Sequence, residues 1–165
     1  MPTKVEFTPI DLRGAAEIYS IRMDGERDSE FHKFLILYRS SEDPYIQDDF
    51  LRIAEAIKKI SEDGALERNF RVEGNFSDRV YAIPLSILRR DKAKHGTLRL
   101  YCLRISDRLL ILGGGGVKTT DTYEEDAVLY EAVRLLQEVD RKLIALDQEG
   151  TDIEKDITNI TVYIE

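Results

Sequence analysis

The chain is poor in cysteine, tryptophan, histidine and proline: one Cys, no Trp, two His and four Pro in 165 residues. The single thiol, Cys102, excludes an internal disulfide and fits a reducing compartment. His32 and His95 stand far apart and match no zinc spacing, so neither a metal nor another cofactor is expected. Long apolar runs are missing too. Nothing approaches the roughly 20 residues that a membrane span needs. The start Met1-Pro2-Thr3-Lys4 has no signal-peptide core, which points to a cytoplasmic protein with no membrane partner. What is present is ordinary for a globular chain, with 42% hydrophobic and 34% charged residues. Residues 1–165 fit one domain, large enough to bury a core without staples.

The net charge of −8 speaks against a general nucleic-acid binder, but it is unevenly spread. Between Arg89 and Lys118 stand eight basic residues (Arg89, Arg90, Lys92, Lys94, Arg99, Arg104, Arg108, Lys118) against two acids, Asp91 and Asp107. That segment carries +6 and leaves −14 for the rest. Such segregation suggests a basic face on an acidic body, and basic faces attract phosphates. The plainer reading is a solvated loop with structural ion pairs.

The pattern along the chain reads as α+β. Residues 4–10 and 17–23 lean to strand, and Asp24-Gly25 marks a turn. A helix starts near Ser29, with Phe31, Phe34, Leu35 and Tyr38 at i, i+3, i+4 and i+7. A second follows with Asp43 as N-cap and Pro44 at N1, an apolar stripe of Ile46, Phe50, Ile53, Ile57 and Ile60, and Gly64 to end it. The short connection predicts an antiparallel helical hairpin. Asn69 to Val72 and Val80 to Leu85 are short strand candidates, the latter placed at an edge or terminus by Pro84. Thr97–Ile105 and Arg108–Leu112 are the strongest strands, joined tightly at Ser106-Asp107, and are expected at the centre of the sheet. A capping box at Thr122 and Glu125 opens a long helix striped by Leu129, Val133, Leu136, Val139 or Asp140, and Leu143. A last strand, Ile157 to Ile164, makes a C-terminal extension over about 148–165. Helices grouped before and after the strands indicate α+β rather than a doubly wound sheet.

The run Gly113-Gly114-Gly115-Gly116-Val117-Lys118-Thr119 invites comparison with the phosphate loop G-x-x-x-x-G-K-S/T. Val117 stands where the second glycine is required, and the helical signal starts too late. The glycines are better read as letting the chain turn where a strand leaves the sheet, or where another backbone or a ligand comes close. Cys102 lies in an apolar strand, where a thiol is buried and inert. No G-x-S-x-G is present for a serine hydrolase. Arg99 and Arg104 occupy strand positions that would otherwise be apolar, and an arginine there needs a partner or a purpose. Structural ion pairs are one reading. The other is fixed positive charge facing a phosphodiester, because metal-free RNA cleavage needs donors for the charge on the phosphorane as well as an acid and a base. His95 or Tyr123 could serve in proton transfer.

The order of strand, helical hairpin, Tyr81-Ala82-Ile83-Pro84, Leu98-Arg99-Leu100-Tyr101-Cys102-Leu103-Arg104, Leu109 to Leu112, glycines, Lys118 and Tyr123 resembles the RelE/HigB/ParE toxin superfamily over about residues 17–147. It is closest to small bacterial RelE-like proteins of uncharacterised activity. The resemblance implies a helical hairpin packed on an antiparallel sheet, with a long C-terminal helix. It further implies a metal-independent mRNA endonuclease acting at the ribosome, the toxin of a toxin–antitoxin pair neutralised by a helix-turn-helix antitoxin. On it, Arg99, Lys118 and Tyr123 are the catalytic set, and Lys92, Lys94, His95 and Arg104 bind RNA. A homodimer is compatible with the family. The alternative is a non-catalytic interaction module on the same fold, binding an acidic protein or nucleic acid, ParE-type gyrase inhibition included. The chain departs from the family pattern in its net charge of −8, its glycine run and its C-terminal strand.

Overall fold

The computed structural model describes residues 2–72, 79–84, 96–120 and 123–165. Among these, seven strands form one sheet: β1 (Thr3–Asp11), β2 (Glu17–Met23), β3 (Arg71–Val72), β4 (Val80–Ala82), β5 (Thr97–Ser106), β6 (Leu109–Lys118) and β7 (Thr161–Ile164). Their spatial order is β3-β4-β5-β6-β2-β1-β7, so β5 and β6 are central as expected. The helices are α1 (Glu30–Tyr38), α2 (Pro44–Asp63), α3 (Ala127–Gln148) and the short α4 (Ile153–Asp156). No helix among the described residues is long and apolar enough to cross a membrane.

Local chemistry explains most element ends. The Ser29 hydroxyl accepts from His32 N, the Asp43 carboxylate accepts from Tyr45 N beside Pro44, and Gly64 closes α2 at φ 106°. The α3 start is a correction. The helix begins at Ala127, after a 3-10 turn at Tyr123–Glu125, and Asp126 caps it by accepting from Val128 N and Leu129 N. Glu125 therefore precedes the helix instead of lying in its first turn, and its expected partner Thr122 lies outside the described residues. The last strand also starts later than expected, because Ile157–Asn159 form a 3-10 turn before β7.

Alternation along the strands fills two cores. Even positions of β5 and β6 (Leu98, Leu100, Cys102, Leu110, Leu112) meet Phe31 and Phe34 of α1 and Ile46, Ile53, Ile57 and Ile60 of α2. Odd positions (Tyr101, Leu103, Leu109, Ile111) meet the α3 stripe of Leu129, Val133, Leu136, Val139 and Leu143. Each face of the sheet thus carries one helical layer.

The expected antiparallel sheet is corrected to a mixed one. β2 pairs with β6 in parallel, from Glu17 opposite Leu109 to Ser20 opposite Leu112. Parallel neighbours need a long crossover, which here contains α1, α2 and three strands. Sequence spacing reports hairpins and is silent on such pairings. The glycine run is corrected as well. It does not leave the sheet: β6 continues to Lys118, still paired with β5. Between the pairs Leu100–Gly115 and Cys102–Leu112 the ladder passes two residues on β5 and three on β6, a β-bulge.

Candidate functional site

Arg99 sits on β5 opposite Gly116 of β6. As an odd position it projects to the α3 face. Only 8% of it is exposed, and its Nε is buried with no hydrogen-bond partner. Thr97, the next same-face residue on β5, pairs with Lys118, so Lys118 projects beside Arg99 and is half-buried. Tyr101, the next in the other direction, is met edge-on by Tyr123 from the turn before α3, with ring centroids 6.4 Å apart. Arg99, Lys118 and Tyr123 therefore gather on one face of the sheet, near the N-terminal end of α3.

The backbone explains how an arginine fits there. A Cβ at Gly115 would stand 1.8 Å from the Arg99 carbonyl oxygen, so glycine is what lets the two strands close at this rung. At the start of β5, the wholly buried Asp49 of α2 accepts from Leu98 N at 2.9 Å and fixes the strand that carries Arg99.

Arg104 is not part of this group. It is an even position five residues along, on the opposite face. Its Nε donates to the Ala65 carbonyl at 2.6 Å and its Nη2 to Asp107, so it ties β5 to the second residue after α2. Lys92, Lys94 and His95 lie outside the described residues. Cys102 is fully buried, and burial pushes its thiol far above the usual range, which leaves no nucleophile there. Among the described residues no group of three or more His, Cys, Asp or Glu could hold a metal.

The pattern gave no functional signal for Tyr38, the last residue of α1. It completes a helical stripe that reads simply as core. Yet its hydroxyl lies 3.4 Å from where a Gly116 Cβ would stand, beside Leu129 and Val128 of α3. A cleft of ≈ 490 Å³ opens alongside, between α1 and α3, where β2 and β6 part; Phe34, Leu37, Gly114, Gly115, Val128 and Leu135 are among the residues that line it. Parallel strands whose following helices go to opposite faces leave such a crevice at their carboxyl ends.

A guanidinium whose Nε is buried without a hydrogen-bond partner keeps a donor that an oxyanion can take up. Its fork of N–H donors matches two oxygens of a phosphate or carboxylate, and the low dielectric strengthens that contact. Lys118 adds a second cation to the same face, and Tyr123 a hydroxyl. No family model, curated protein or solved structure matches the chain.

Proposed function

We propose that the protein is a RelE-like toxin, a metal-independent endoribonuclease that cuts mRNA at the ribosome and is held in check by a helix-turn-helix antitoxin. One observation carries this reading: a central-strand arginine, Arg99, is nine-tenths buried with its Nε unpartnered. A buried donor without a partner is costly to the fold, so its presence calls for a ligand. The α+β arrangement supports the family resemblance in outline, with two helices on one face of the sheet and a long helix after the last central strand.

In the proposed reaction a ribose 2′-oxygen attacks the adjacent phosphorus, and the bond to the 5′-oxygen breaks. Arg99 and Lys118 donate to the non-bridging oxygens, where charge develops in the transition state. Tyr123, on the same face, serves in proton transfer, as the 2′-hydroxyl gives up its proton and the departing 5′-oxygen takes one up, leaving a 2′,3′-cyclic phosphate and a 5′-hydroxyl. Lys92, Lys94 and His95 are assigned to RNA binding, as is Arg104 in the family scheme, although its donors already hold Ala65 and Asp107.

The test is expression of wild type, Arg99→Ala and Lys118→Ala in growing cells, with mapping of mRNA ends. Wild type is expected to arrest growth and cut translated mRNA, and each variant to lose at least about 100-fold of the cleavage rate. A folded wild type that leaves growth and mRNA unchanged removes the toxin reading. Binding of nucleic acid or an acidic protein without cleavage would transfer the site to the second reading, an interaction module. Exposed Leu37 and Val128 at the α1–α3 cleft favour that second reading.

A further inference from the structure

α1 and α3 belong to opposite helical layers, yet Tyr38 of α1 and Val128 and Leu129 of α3 meet at one glycine, Gly116. The fork in the sheet allows this. β2 follows β6 only as far as Ser20 opposite Leu112, so the far half of β6 is paired on its β5 side alone and a side chain from α1 can reach past its outer edge. Gly116 is the register partner of Arg99, and paired residues project to the same face. Adding a cross-strand Cβ separation of about 5.5 Å to the 3.4 Å contact puts the Tyr38 hydroxyl within roughly 9 Å of the Arg99 Cβ. A guanidinium and a hydroxyl flanking one rung at that range can share a single phosphate.

We propose that the Tyr38 hydroxyl is a further ligand of the phosphodiester held by Arg99, a neutral donor supplied from the opposite helical layer. This rests on the reading of Arg99 as a phosphate site. The ring is fixed by its tilted contact with Phe34, centroids 5.1 Å apart, so the hydroxyl is presented at little cost in rotamer freedom. Among the described residues no group hydrogen-bonds that hydroxyl, and the residue is only half-buried, so a ligand can reach it. Burial and the nearby Asp126 carboxylate raise its pKa, which keeps it protonated and a donor at neutral pH. Asp126 itself is engaged in capping α3. An uncharged donor suits a position beside that carboxylate.

The experiment measures binding of a labelled single-stranded 2′-O-methyl RNA, which cannot be cleaved, to the full chain as wild type, Tyr38→Phe and Arg99→Ala. Phenylalanine keeps the ring contact with Phe34, and thermal unfolding checks that the fold is unchanged. Tyr38→Phe is expected to weaken binding about three- to tenfold at unchanged melting temperature, the size of one hydrogen bond. Arg99→Ala is expected to weaken it by more than about tenfold. Wild-type affinity in Tyr38→Phe alongside weakened Arg99→Ala overturns the role of Tyr38 and leaves the Arg99 site standing. Undiminished binding in Arg99→Ala, or no binding by wild type, overturns the phosphate site and the proposal with it.

Discussion

Two arginines five residues apart on β5 meet opposite fates, and the difference is one of parity. Arg104 faces the α1–α2 layer and finds the Ala65 carbonyl and Asp107. Arg99 faces the α3 layer, and its Nε finds no partner. Both stand out in the sequence as cations in an apolar strand, but only geometry separates the structural one from the candidate receptor. The glycines differ among themselves in the same way. A Cβ on Gly114 would meet nothing within 4 Å, whereas one on Gly115 would overlap the Arg99 carbonyl, a backbone atom that can yield only if β5 and β6 part. Gly115→Ala is therefore expected to cost more than about 3 kcal/mol in urea unfolding, and Gly114→Ala to stay within about 1 kcal/mol. Equal effects at the two positions would show that the close approach at Gly115 does not constrain the strand pair.

At the scale of elements, local signals were readable and long-range pairings were not. Ser29, the Asp43-Pro44 pair and Gly64 mark helix ends through hydrogen bonds and backbone preferences that act within a few residues, and the structure has them as expected. β2 lies where the pattern put it, at Glu17–Met23. Its parallel partner β6 is about ninety residues away, and no local pattern encodes that choice. β6 itself extends six residues past the apolar run because glycines carry no strand signal, although β5 and the α3 side chains hold them in the sheet. The α3 stripe left Val139 and Asp140 as alternatives, and both are buried. Asp140 turns inward because Arg79, just before β4, donates Nε and Nη2 to its Oδ1 at 3.0 and 2.6 Å. The same Arg79 accepts Arg104 N at its carbonyl, so the pair links α3, β4 and β5. Asp140→Ala would strand a guanidinium that is one-third exposed. A loss of about 2 kcal/mol in denaturant unfolding is expected, below the full cost for a sealed pair. A loss under about 0.5 kcal/mol would show the link to be incidental.

At the scale of the whole molecule, stability rests on two apolar layers, one on each face of a central sheet, and the candidate site is a flaw within one of them. The net charge of −8 makes the surface as a whole a poor landing ground for RNA. On the proposed function, recognition is local, built on Arg99 and Lys118 rather than on a diffuse basic field. A buried arginine kept for a ligand weakens the fold that holds it, whereas a buried arginine kept for structure strengthens it. Thermal unfolding of wild type and Arg99→Met, without RNA, separates the two most directly. Methionine occupies a similar length of side chain without the charge. If Arg99 is kept for a ligand, the melting temperature rises by roughly 3–6 °C, the equivalent of about 1–2 kcal/mol for a chain of this size. A melting temperature lowered by a similar amount would contradict the account, because the guanidinium would then belong to the bonding of the fold.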